Sequence, residues 1–227
     1  MERGAAVKAA EALAASAAAL VASLRAEESM EPGDADPLRV LADDFLHGLA
    51  RTGRIDAQLA AVRVHLAAGY AGAVEAMLEP AVSPEDHTGQ EMAVIAEVAC
   101  AMTVSEPAAA NLLVEARELT TTLPMTMSAL GAGTISWQHA RIMVDETNSL
   151  GPEGAQALES HFLHSDDPNP ARGRPAGEMT AGRFRAKART WRERHHPVSI
   201  ETRHAKCAAD RRVLFSPDRD GMAWLSA

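Results

Sequence analysis

The sequence predicts a mainly α fold: an irregular multi-helix domain of about eight to ten helices, containing a helix-turn-helix-like unit and ending in a short β-hairpin. Three observations predict it. Apolar residues make up 47% of the 227 positions but aromatics only 4%, so alanine and leucine supply the packing, and both favour helices over sheets. Apolar side chains recur at spacings of three and four along most of the chain. Proline, glycine, serine and aspartate fall where helices would start and stop.

Taken in order, residues 1–34 hold an Ala-rich helix over 4–28, either packed or a loose arm. Glu31–Pro37 is a break. Asp36 can cap a helix that begins at Pro37. That helix is expected to run towards Leu49 and to end at Thr52-Gly53. A second helix, over 54–79, carries Ile55, Leu59, Val62, Leu66 and Ala73 at helical spacing and is closed by Pro80. Ser83-Pro84 and Ser105-Glu106-Pro107 start two more. Residues 35–164 form the expected helical core domain, with a last short helix from Gly151-Pro152 to Leu163. Residues 165–178 are rich in Pro, Gly, Asp and Arg and read as a loop or linker. Residues 179–227 bring basic helices, Met179–His195 and Pro197–Asp210. A hairpin follows, with strands over Arg211–Ser216 and Met222–Leu225 and a turn over Pro217–Gly221. The chain stops inside the second strand, so it reads as a truncated product or a fragment.

Charge is unevenly placed. Residues 1–170 carry 9 basic and 25 acidic side chains, and residues 171–227 carry 13 and 6, within a total of −9. A basic segment asks for an anionic partner, either nucleic acid or the acidic part of the same chain. Arginine outnumbers lysine 19 to 3, which reads as a trace of a GC-rich genome. Cys100 and Cys207 lie far apart; Cys100 reads as a buried thiol in a helix, and no disulfide framework is suggested. No apolar run reads as a membrane span and the Ala-rich start makes a poor signal peptide, so the expected setting is cytoplasmic with no membrane partner.

The stretch Leu119–Leu150 organises the rest. Pro124 starts one helix, Gly131 and Gly133 break it, and Ser136 caps the next. On a helical wheel the second helix sets Trp137, Ala140, Met143, Val144, Thr147 and Leu150 on one side and Gln138, Arg141 and Asp145 on the other. Helix, Gly turn, helix is how DNA-reading units are built and also how helical domains turn corners. In Met179–His195, Phe184, Ala188 and Trp191 form one stripe, flanked by Arg183, Lys187 and Arg194 on one side and Arg185, Arg189 and Arg192 on the other. This is either a core-facing helix edged by arginine stems or a helix lying along phosphates. The candidate DNA-contacting residues are therefore Gln138, Arg141, Arg183, Lys187 and Arg194.

Catalytic and metal-binding patterns are weak. His161 and His164 stand at i, i+3, with Asp166 and Asp167 after them. His204 and Cys207 stand at the same spacing, with His195 and His196 upstream. A pair like the first arises often by chance and is weak evidence for zinc or manganese, and the second reads better as a solvated helix end than as a metal site. His139, just inside its helix, reads as a structural histidine bonded to a carbonyl. No Ser/His/Asp spacing positions a nucleophile, and no phosphate-cradling glycine motif occurs. No cofactor is expected, and Asp and Glu read mostly as solvated faces.

The segment LPMTMSALGAGTISWQHARIMVDE resembles part of the domain of unknown function 222 family, also called the mycobacterial thirteen-E-twelve repeat family. So does PVSIETRHAKCAADRRVLFSPDRDGMAWLSA. The resemblance rests on Leu123-Pro124, Gly133, Ile135-Ser136, His139-Ala140, Arg211-Arg212-Val213 and Asp220-Gly221-Met222, and covers about residues 35–227. Members of that family commonly carry a C-terminal HNH endonuclease module. The resemblance thus implies a non-catalytic N-terminal helical domain of an HNH endonuclease-type protein, assisting DNA binding or positioning, with that module as a further partner. His195-His196 has no flanking CxxC pair, so the HNH ligand set is missing here. The alternative is a helical protein-interaction or structural module with no nucleic-acid role.

Overall fold

Among the described residues there are eight α-helices, six of which share one apolar core whose centre is a short helix late in the chain. The computed structural model describes residues 2–27, 36–164, 175–196, 204, 205, 208, 214–217 and 223–226. Helix α1 (Glu2–Glu27) folds back on α2 (Pro37–Met77), which at 41 residues is about 60 Å long. Then come α3 (Pro84–Met102), α4 (Glu106–Thr121), α5 (Pro124–Ala132), α6 (Trp137–Thr147), α7 (Pro152–Leu163), a 3-10 turn at Ala176–Glu178, and α8 (Ala181–His195).

Local chemistry sets several boundaries. Asp36 accepts a hydrogen bond from the Leu38 N–H, and Ser83 from that of Asp86, while proline takes the first helical position of α2 and α3. Gly133 ends α5 at φ 70°. A Cβ there would collide with the Arg54 side chain, so both the left-handed backbone and the close approach of α2 require glycine. A Cβ at Gly177 would likewise collide with the Thr134 carbonyl, so the α5–α6 turn is clasped from both sides.

Two expectations about α2 need correction. Thr52-Gly53 does not end a helix, because α2 runs unbroken through it; Thr52 Oγ1 donates back to the Leu49 carbonyl, and one helical glycine costs only about 1 kcal/mol. The stripe that faces the core is Ala57, Ala60, Ala61, Val64 and Ala67, which leaves Leu59 43% and Leu66 59% exposed. Alanines let α2 approach its neighbours closely, and the larger side chains turn outward.

The fold class also needs correction, because the domain is all helical. The hairpin expected over Arg211–Leu225 is no layer of it: every major packing of the core is helix on helix. Leu214–Pro217 and Ala223–Ser226 are extended and run antiparallel, with Phe215 opposite Leu225. Two such short strands alone are marginal and do not change the class. Arg211–Val213 and the turn residues 218–221 lie outside the described residues. So do the linker residues 165–174 and most of the expected Pro197–Asp210 helix, of which His204, Ala205 and Ala208 are helical.

The main core joins α2 and α4 through α8, with Leu119, Leu123, Leu130, Met143, Leu158 and Phe184 almost fully buried. A small satellite of Val98, Ala99 and Ala109 ties α3 to α4. Cys100 faces out from α3 rather than into the core, because its neighbours Val98 and Ala99 take the inward positions. By length and composition α1 could cross a membrane, which amends the expectation that no segment reads as a span. Here its positions 6, 9, 13, 16, 20 and 23 lie at least half-buried, a three-four alternation, and α1 packs along α2.

Gly133→Ala is expected to lower stability by about 1–3 kcal/mol, from left-handed backbone strain and the Arg54 collision. Gly131→Ala, inside α5 with open space around it, is expected to be neutral or to stabilise by up to about 1 kcal/mol. Urea unfolding of the two variants checks the pair.

Candidate functional site

Helix α6 carries the residues singled out by sequence, and it lies at the centre of the molecule. His139, Ala140, Ile142, Met143, Val144, Glu146 and Thr147 are all buried. The first turn is held by its histidine. A carbonyl can only accept, so His139 Nε2–H donates to the Met179 oxygen at 2.9 Å. Nδ1 hydrogen-bonds the Ser136 hydroxyl at 2.7 Å, and accepts from it in the tautomer that carries its proton on Nε2. The Ser136 side chain therefore spends itself on His139 and makes no cap bond to the helix. Serine and imidazole stand in contact, but a main-chain carbonyl occupies the place where a base-orienting carboxylate would be.

Two carboxylates are buried among apolar residues. Glu146 of α6 pairs with Arg192 of α8, whose side chain is 1% exposed. Glu159 of α7 caps α5: Thr126 N–H and Oγ1–H donate to its Oε1 at 2.7 and 2.6 Å. Burial raises the Glu159 pKa above the ordinary carboxylate value, and the two Thr126 bonds oppose that rise without cancelling it. Reading Asp and Glu as solvated faces missed both. The signal was positional: Glu146 stands three residues after Met143, and Glu159 follows Leu158 and precedes Phe162 by three, on the core side of each wheel.

Of the candidate DNA contacts, Arg141 is engaged within the chain and the other four are exposed. Gln138 is exposed. Arg141 is turned to Glu115 of α4, with Nε donating to Oε1 at 2.6 Å. On α8, Arg185 pairs with Asp145 of α6 at 3.2 Å and Arg189 with Glu193 at 2.9 Å. Arg183, Lys187 and Arg194 are exposed and share one stripe, with no ion pair to another described residue. Part of the basic segment is therefore answered within the chain, by Asp145 and Glu146 of α6 rather than by acids of 75–118.

The histidines singled out as metal candidates meet an indole. Trp191 stacks on His195 with centroids 4.3 Å apart, and His161 and His196 lie 5.7 and 5.8 Å from it. Among the described residues no three His, Cys, Asp or Glu side chains converge as a metal site. His164 ends α7 and His204 is exposed, while Asp166, Asp167 and Cys207 lie outside the described residues.

A run of exposed large apolar side chains lies on the first turns of α2. Leu38, Leu41, Phe45, Leu46 and Leu49 are 75, 49, 61, 64 and 67% exposed. No motif marked them, because such spacing also describes a core stripe.

Because the folded chain holds the Glu159 proton where the unfolded chain has lost it, stability from this group is present at low pH. It falls as pH rises from the ordinary carboxylate value through the raised one. Glu159→Gln is expected to remove that part of the fall in urea melts taken across the range. Glu159→Leu is expected to cost about 1–3 kcal/mol, by stranding the two Thr126 donors.

No curated protein and no solved structure matches this chain. The family model described as Domain of unknown function (DUF222) matches residues 46–227, so α1 and the first turns of α2 precede the matched region. The matched region holds the clasped α5–α6 turn, the His139 hub and the buried carboxylates, and by that match the chain belongs to the DUF222 family.

Proposed function

We propose that this chain is a non-catalytic helical interaction module, in the HNH endonuclease-type setting that the family resemblance implies, and that it associates through its α1–α2 arm. The observation that carries this reading is the run of large apolar side chains left outside on α2 while alanines face the core. Contiguous apolar surface of that kind on a soluble domain marks an interaction site. The charges of α8 support it from the other direction, since Arg185, Arg189 and Arg192 are paired within the chain. A cytoplasmic setting belongs to the same proposal.

The test is a dye that lights up on apolar surface. Dilute protein is expected to enhance anilinonaphthalene sulfonate fluorescence, and Phe45→Glu with Leu49→Lys is expected to remove most of the gain. No enhancement by the folded chain would sink the reading.

A second reading is favoured by one observation, the open stripe of Arg183, Lys187 and Arg194. Three cations on one helix face suit weak contact with a phosphate backbone, and the module would then help to position DNA. In this reading binding is sequence-independent and falls steeply with salt. Replacing all three by alanine is expected to flatten the salt slope by about 3 in log–log units, checked by fluorescence anisotropy on random duplexes. Gln138 and Arg141 add base contacts only if Arg141 first leaves Glu115, so Arg141→Ala is expected to leave sequence preference unchanged.

A further inference from the structure

We infer that the open stripe of α2 is a homodimer interface, covered by the same stripe of a second copy of this chain running antiparallel across a two-fold axis beside Phe45. This rests on the reading of the arm as an interaction surface and names its partner. Leu38, Leu41, Phe45 and Leu49 stand at i, i+3, i+7 and i+11, which is one line along a helix, and Leu46 lies beside it. The face is distinct from the half-buried one of α2, which carries Val40, Asp44 and Gly48. Ala42 and Thr52 complete the line, and Arg39, Asp43, Asp44 and Arg51 all fall off it on the wheel.

That pattern suits a copy of itself. A two-fold axis at Phe45 sets Phe45 on Phe45, Leu41 on Leu49 and Leu38 on Thr52, so apolar meets apolar or neutral and no like charges are brought together. An α-helical hairpin with one uncovered apolar face is half of a four-helix layer, and a second hairpin is the simplest cover. The area is sufficient. At the exposures given, and with roughly 180 Å² for a whole leucine or phenylalanine, the five side chains leave roughly 550 Å² open per copy. Two copies then remove roughly 1,100 Å², above the ~1,000 Å² that marks a specific interface.

The experiment is sedimentation velocity on the full chain across the micromolar range. The expected result is a shift from the mass of one chain to the mass of two as concentration rises. Phe45→Glu is expected to abolish that doubling with the helical circular dichroism signal unchanged, since the position is exposed. Leu66→Glu, off the stripe, is expected to keep it. In a Cys100→Ser, Cys207→Ser background, Phe45→Cys is expected to cross-link as a disulfide dimer, because a two-fold axis brings each residue near its own copy. A single-chain mass at every concentration overturns the inference, as does a dimer that survives Phe45→Glu. Flotation of a single-chain species with phosphatidylcholine vesicles also overturns it, and gives the stripe to a lipid surface. If the chain stays single while its dye enhancement is lost in Phe45→Glu, the dimer falls and the open apolar arm stands. If the dye is not enhanced at a concentration where sedimentation shows single chains, both fall.

Discussion

The pairing of Glu146 with Arg192, buried between α6 and α8, decides where the basic end of this chain sits. A charge taken out of water is tolerated only beside its opposite, and stranding either partner costs about 3–5 kcal/mol. Once Glu146 is carried into the core by Met143 and Thr147, a cation has to follow it. Arg192 is brought there by the stripe of Phe184 and Ala188. The pair thus ties the helix of most positive character to the helix at the centre of the fold.

The roles of the neighbouring residues follow from that tie. With α8 laid on α6, Met179 is placed to receive the His139 ring, and Gly177 to receive the Thr134 carbonyl. The α5–α6 turn is then held by α2 on one side and by the approach to α8 on the other. An α6 buried on most of its circumference has little face to offer a DNA groove. Its open edge carries Gln138 and Asp145, with the Arg141 side chain 41% exposed beside them. The segregation of charge along the sequence is therefore partly an internal matter of folding, answered where Arg185 meets Asp145 and Arg192 meets Glu146.

Much of the helical plan was legible. Caps at Asp36 and Ser83, the helix start at Ser105 and the prolines after all three follow from backbone chemistry within four residues, and sequence carries that fully. The family was legible from the α5–α6 stretch, whose Gly133 and His139 have tertiary roles. What stayed hidden depended on choosing among faces. Leu59 and Leu66 have the better spacing for a core, yet alanines won because close helix approach was worth more there. Thr52-Gly53 carried a stop signal, but one glycine costs a helix too little to end it. The Ser136 hydroxyl looked like a cap, but the imaging of its partner needed the fold, since His139 reached it first. Short β-forming segments at the end read as a hairpin from propensity, while the domain itself is closed by helices.

A double-mutant cycle on Glu146 and Arg192, read by urea unfolding, tests most directly that this buried pair holds the basic helix on the domain. Glu146→Leu and Arg192→Met are each expected to cost about 3–5 kcal/mol, and the double variant to recover more than ~1 kcal/mol relative to their sum. Two small losses that simply add would contradict it, and would leave α8 free to serve an external anion.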